Sequence, residues 1–464
     1  MPMRPSMLNT DLTQDVRHSN FPDYSAATHN KLKYHKVPGV LQLTAVYCPD
    51  HPAASHDAIG WGVPLQDLDQ DRVVGIHFTG DKRQGLPPRS WKSSALFAAL
   101  VEPFPLLRDL QLEHIQIELE YPQVSGRVVA HAPATPRRSL RTLVLEEAHH
   151  SGRVSPFHFL RYFDAIDTLF VLWPASWPRD AHQVQMEVND RRVLEWIGQN
   201  MESDVPKIQN VVLDNTPYAR TYFAMLASPE TVLAITFLQL RIYAPSDISM
   251  LKVLLSHANN LEEVRLDFAG LALGRQSTVY DEDSLMFAAV DAESQLRRLS
   301  LLEALKTQPR LKKLKVFVPA CGTCPAEGEP LSRTSWALPT GLLMYLSRSV
   351  EEVTIGWVLT CRGGCMISYM DHVNELCAVA NPMRQGFCCA LYTALGLVVA
   401  PYGVKKVRFE IIPASGWISC TLSAQEKVGV LKRMVSGVVP RDISKTLEEH
   451  IDCGRICWAD EPRY

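Results

Sequence analysis

The stretch Leu261-Glu262-Glu263-Val264-Arg265-Leu266-Asp267-Phe268 decides the fold, because its apolar residues fall at positions one, four and six of a phrase that recurs along the chain. The same spacing is found at Leu107, Leu110, Leu112; Leu140, Leu143, Leu145; Ile166, Leu169, Val171; and Ile208, Val211, Leu213. It continues at Val232, Ile235, Phe237; Leu311, Leu314, Val316; Val350, Val353, Ile355; and Val404, Val407, Phe409, with Val73, Ile76, Phe78 opening the series. In a leucine-rich repeat this phrase is a short strand whose alternate side chains enter a stacked core while their neighbours face out.

Between the phrases lie segments of helical spacing: residues 90–104, 155–166, 189–201, 246–260 and 293–309. Ser246 and Asp247 offer a helix cap, and Pro309 stops a helix just ahead of the next phrase. Each unit therefore reads as helix, turn, strand. The phrases start 24 to 54 residues apart, wider than regular leucine-rich repeats of roughly 20–29 residues. The expected fold is an α/β, irregular leucine-rich-repeat-like solenoid, with parallel strands on its concave face and helices on its convex face. An ordinary α/β domain with a parallel sheet is the rival, since it also alternates helix and strand. Residues 1–35 are expected to form a loosely packed or disordered arm, 36–70 an N-terminal cap, 71–420 the repeat array and 421–464 a helical C-terminal cap.

At 464 residues the chain exceeds what one compact core accommodates, which a repeat array escapes by growing in one dimension. A composition 46% hydrophobic and 21% charged is that of a globular protein. The formal net charge of -3 supplies no general attraction to nucleic acid or anionic lipid, so neither is an expected partner. The first residues lack the apolar run of a signal peptide, and the long uncharged stretch 385–404 is interrupted by Tyr392, Thr393, Gly396 and Pro401. A cytoplasmic or nuclear protein without a membrane span is the expectation. The 11 cysteines, an odd number gathered mostly after residue 320, do not form a secreted disulfide pattern.

The phrases SLRTLVLEE (139–147), NLEEVRLDF (260–268), RLKKLKVFV (310–318) and SVEEVTIGW (349–357) resemble the C-terminal region of the large fungal class of F-box and leucine-rich-repeat proteins, over roughly residues 70–420. The resemblance implies a substrate-recognition array. In that family an F-box, opened by a Leu-Pro motif, docks on the adaptor of a cullin ubiquitin ligase; the first 60 residues here carry no such opening and no three amphipathic helices.

The chain contains no nucleophile elbow, phosphate-cradling glycine loop, dinucleotide fingerprint or His-Glu-x-x-His zinc helix. Cys321 with Cys324, and Cys361 with Cys365, each follow a phrase, so four thiolates could meet around zinc if the two strands are neighbours. Unpaired cysteines in loops explain them as well. Cys48, His51 and His56 lack a fourth ligand nearby, and Cys453 and Cys457 stand one helical turn apart. No cofactor is expected, and the expected function is a non-enzymatic protein-interaction module; a ubiquitin-ligase substrate receptor with a lost or divergent F-box is one alternative, and a metal-dependent enzyme using the cysteine loops is the alternative from another class.

Placing the phrase on a strand sends the residue between its second and third apolar positions out of the core face. That column is His77, Gln111, Val144, Phe170, Val212, Thr236, Arg265, Lys315, Thr354 and Arg408, with Asp109, Thr142, Thr168, Asn210, Ala234, Glu263, Lys313, Glu352 and Lys406 beside it. The early rungs carry acids (Asp109, Glu113, Glu146), the middle is apolar (Val144, Phe170, Val212, Leu238) and the late rungs are basic (Lys313, Lys315, Lys406, Arg408). An apolar centre between opposite charges suits a protein partner with a complementary dipole. Gln111, Val144, Phe170, Val212, Arg265, Lys313, Lys315, Lys406 and Arg408 are the expected contacts, unless a segment of the same chain covers them.

Overall fold

The computed structural model describes residues 8–9, 41–46, 70–80, 90–118, 137–150, 159–172, 205–214, 219–242, 245–268, 301–319, 343, 346–359, 404–413 and 451–452. Two compact units divide the chain, one over residues 1–235 and one over 236–463.

The first unit contains β1 (Leu8–Asn9), β2 (Leu41–Val46), β3 (Val73–Thr79), β4 (Ser90–Lys92) and α1 (Ser93–Leu100), followed by β5 (Asp109–Glu113), β6 (Gln116–Glu118), β7 (Arg138–Glu146) and β8 (His149–His150). It ends with β9 (Phe163–Leu172), β10 (Lys207–Asp214), α2 (Ala219–Leu226) and α3 (Pro229–Val232). Strands β2, β3, β5, β7, β9 and β10 pair parallel in that order, and β1 lies antiparallel on β2. β1 falls within the expected loose arm and β2 within the expected cap, so the sheet extends ahead of the first phrase.

The short strands β4, β6 and β8 form a second parallel sheet. β5 turns into β6 at His114–Ile115 and β7 into β8 at Glu147–Ala148, and backbone bonds run from Gly80 to Glu113 (2.8 Å), His114 to Glu146 (2.9 Å) and Glu147 to Leu172 (2.9 Å) at the strand ends. His114 (φ 52°) and Glu147 (φ 48°) adopt the left-handed conformation, at roughly 1–2 kcal/mol each.

The second unit contains β11 (Phe237–Arg241), α4 (Pro245–His257), β12 (Glu263–Asp267), β13 (Lys313–Pro319), β14 (Glu352–Leu359), β15 (Lys406–Pro413) and β16 (Ile451–Asp452). These strands also pair parallel in chain order. β16 falls within the expected helical C-terminal cap. A doubly wound sheet reverses its strand order at a switch point; among the described strands, neither unit does.

One junction recurs in both units. The carbonyl of Arg108 accepts from two successive amides, Arg141 and Thr142, and those of Thr236, Glu262, Lys312 and Glu351 do the same for the first two residues of the following rung. At these five junctions the chain meets the next strand in the same way, in keeping with a repeated sequence phrase.

The phrase residues form the core: Leu110, Leu112, Leu143, Leu145, Leu169 and Val171 are buried in the first unit, and Val264, Leu266, Leu314, Val316, Val353 and Ile355 in the second. In the first unit Phe97 of α1 stacks on Tyr162 at 4.8 Å between ring centres and meets Phe163 edge-on at 6.2 Å. Phe159 adds a third ring, 5.5 Å from Phe163. Phe159, Tyr162 and Phe163 come from the segment expected to be helical over 155–166, but only 159–160 are helical among its described residues, and β9 begins at Phe163. The β-branched and aromatic run after Tyr162 favours the pleated strand.

Candidate interaction face

The register places His77, Gln111, Val144, Phe170 and Val212 side by side across the first unit. In the second unit the same column is Gln239, Arg265, Lys315, Thr354 and Arg408. The expected column therefore stands, except at one rung. Leu238 pairs with Val264 and Gln239 with Arg265, so the phrase there is Ile235, Leu238, Leu240, three residues later than expected. Val232 ends α3 and is not available to a strand. Thr236 and Ala234 are replaced in the face by Gln239 and Phe237, and Leu238 belongs to the core.

The solvent exposure of the column needs a larger correction. Val144 (0%), Phe170 (2%), Val212 (4%), Arg265 (2%) and Lys315 (7%) are buried in the isolated chain, as are Gln111 and Asp109. Both faces of the sheet are out of water at these rungs. Burying an aromatic side chain such as Phe170 contributes about 1.5–3 kcal/mol, so the apolar centre acts in the fold. Lys313, by contrast, keeps 45% of its side chain exposed, and Lys406 and Arg408 are partly exposed.

The acids of the early rungs are held within the sheet. Arg141 donates to both oxygens of Asp109, at 3.0 and 2.5 Å. Gln111 donates to Glu146 at 3.1 Å, while His77 (2.8 Å) and Thr79 (3.2 Å) both donate to Glu113 Oε2. His114 and Glu147, the two left-handed corner residues, pair at 3.0 Å. These bidentate and convergent bonds give the partly buried carboxylate oxygens hydrogen-bond partners within the sheet.

The basic rungs are compensated in the same way. Arg265 Nε donates to Glu263 Oε1 at 2.6 Å, Lys315 Nζ lies 3.5 Å from the same oxygen, and the guanidinium sits 4.7 Å above the Phe237 ring. Burial pushes the Glu263 carboxyl up, but the charges of Arg265 and Lys315 and the Arg265 hydrogen bond outweigh it and hold the group below the usual carboxylate range. Arg241 donates to Asp267 at 2.7 Å, and Lys313 stands 4.0 Å from Glu352.

At the strand starts Lys312 meets Glu262 at 3.3 Å and Lys405 meets Glu351 at 2.8 Å. The hydrogen bond from Lys405, with its charge, lowers the Glu351 carboxyl. Sequence reasoning missed both Phe237 and this set of acid-base pairs. The signal for the pairs was present in the paired residues before each second apolar position, Glu-Glu, Lys-Lys, Glu-Glu and Lys-Lys in successive rungs.

Cys321, Cys324, Cys361 and Cys365 lie outside the described residues, as do Cys48, His51, His56, Cys453, Cys457 and the expected helix over 189–201. Among the described residues no group of three or more His, Cys, Asp or Glu is arranged to hold a metal ion, and no helix is long and apolar enough to cross a membrane. No protein-family model matches the chain, and no curated protein matches it.

Proposed function

We propose that the chain is a degenerate leucine-rich-repeat-like solenoid that works as a non-enzymatic protein-interaction scaffold. The observation that supports this reading is the doubly donated carbonyl at Arg108, Thr236, Glu262, Lys312 and Glu351, one junction repeated rung after rung. Stacked units joined in this way grow into an extended binding surface rather than a single catalytic cleft.

The partner contacts belong to the water-accessible rungs of the second unit, Lys313, Lys406 and Arg408. Val144, Phe170 and Val212 are assigned to the fold and not to the contact surface, because they are already buried without a partner. Half-exposed cations interleaved with Glu352 suit a protein surface of mixed charge with acidic excess, recognised at the rim by electrostatic complementarity.

Affinity capture with the tagged full-length chain and its Lys406→Glu/Arg408→Glu variant tests this, read at low and high salt by mass spectrometry. The wild type is expected to recover a defined set of proteins at low salt that the variant loses. Identical recovery by both proteins, with the same salt dependence, overturns the assignment. Recovery of a cullin and its adaptor within that set would specify the scaffold as a substrate receptor for ubiquitin transfer.

A further inference from the structure

In the second unit, the two residues ahead of each second apolar position are Glu262-Glu263 on the β12 rung, Lys312-Lys313 on β13, Glu351-Glu352 on β14 and Lys405-Lys406 on β15. The register puts Glu263, Lys313, Glu352 and Lys406 directly beside one another across the sheet. The preceding residues form a second, water-exposed row, in which Lys312 reaches Glu262 at 3.3 Å and Lys405 reaches Glu351 at 2.8 Å. Sign therefore alternates from strand to strand in two adjacent rows. The first unit has Arg108-Asp109, Arg141-Thr142, Asp167-Thr168 and Gln209-Asn210 at these positions, and no alternation.

We propose that this double row is an electrostatic code for strand order. The apolar phrases of β12, β13, β14 and β15 are nearly interchangeable, so core packing alone discriminates poorly between a strand's true neighbour and the next but one. Skipping a strand, or pairing a strand with its own counterpart from a second copy of the chain, would align Glu-Glu with Glu-Glu or Lys-Lys with Lys-Lys. Strands lie about 4.8 Å apart, and like charges directly opposite at that spacing are destabilising. Exposed ion pairs add little stability singly, so the effect of the rows falls on the wrong pairings, as with charged positions that set partner choice elsewhere.

The test uses the full-length chain and only the exposed row. Lys312→Glu places three acidic rungs in succession; Glu262→Lys/Lys312→Glu/Glu351→Lys/Lys405→Glu inverts the row and restores alternation; Lys252→Glu, on the exposed side of α4, matches the charge change of the first variant. Each protein is refolded from denaturant at roughly 0.01 M and 1 M salt, where the screening length is about 30 and 3 Å, and scored for monomer yield and melting temperature. Lys312→Glu is expected to lose about twofold or more in low-salt monomer yield and about 2–4 °C in melting temperature. Both losses should vanish at high salt and in the inverted row, and Lys252→Glu should show neither. Wild-type behaviour of Lys312→Glu at low salt, a loss that persists at high salt, or failure of the inverted row to recover would each overturn the code.

Discussion

Gly80 follows the end of β3, and a methyl group there would overlap the carbonyl oxygen of His114 on the next rung. Backbone cannot move aside as a flexible side chain can, so Gly80→Ala is expected to destabilise the first unit by about 1–3 kcal/mol, measured by denaturant unfolding. Glu263 gives a residue-scale prediction of a different kind. Its carboxyl is held below the ordinary range by Arg265 and Lys315, so the folded state binds its proton less readily than the unfolded chain. The resulting stabilisation is complete above the unfolded value of about 4.3 and is lost as the pH falls through the lower folded value. Glu263→Gln should therefore melt below the wild type at pH 7, and the gap should narrow under acid. A gap that stays constant between pH 7 and pH 3 would contradict this account.

At the scale of elements, β13 and β14 show how a neighbouring side chain replaces one that is missing. Phe317 and Gly356 are paired in register, and a methyl group at Gly356 would collide with the Phe317 ring. The ring covers the glycine strand, an arrangement that compensates for glycine in sheets. Gly356→Ala should cost stability in the native background and much less in Phe317→Leu, so a double-mutant cycle should return a coupling of about 0.5–3 kcal/mol. The rung at β11 shows where reading the sequence fails at this scale. Val232, Ile235, Phe237 and Ile235, Leu238, Leu240 both satisfy the phrase; only α3, with Pro229 at its start, removes the first choice. The rungs at β3, β5, β7, β9, β10, β12, β13, β14 and β15 pair in the register the phrase predicts.

For the whole molecule, the parallel strand order was legible because one apolar spacing recurs, and a periodic signal survives degeneration in any single copy. Burial of the face opposite the core was not legible. Alternation along a strand tells which residues share a side, but whether that side meets water depends on chain far away in sequence. Val144, Phe170 and Val212 were thus assigned to the correct column and the wrong solvent. Phe170→Asp should accordingly unfold the first unit, with loss of its cooperative melting transition, instead of weakening binding in a folded protein; a burial loss of this type costs roughly 3–5 kcal/mol.

Because, among the described residues, the strands of the second unit pair laterally with those next to them in sequence, a pull on the C-terminal side of β15 would load the sheet one rung at a time. Strand starts at 406, 352, 313, 263 and 237 leave intervals of 54, 39, 50 and 26 residues. At about 3.5 Å per extended residue these release steps of roughly 190, 135, 175 and 90 Å. The unequal insertions that blur the repeat in the sequence would make each tensile event identifiable by its length, so a force-extension trace would report the order in which the rungs part.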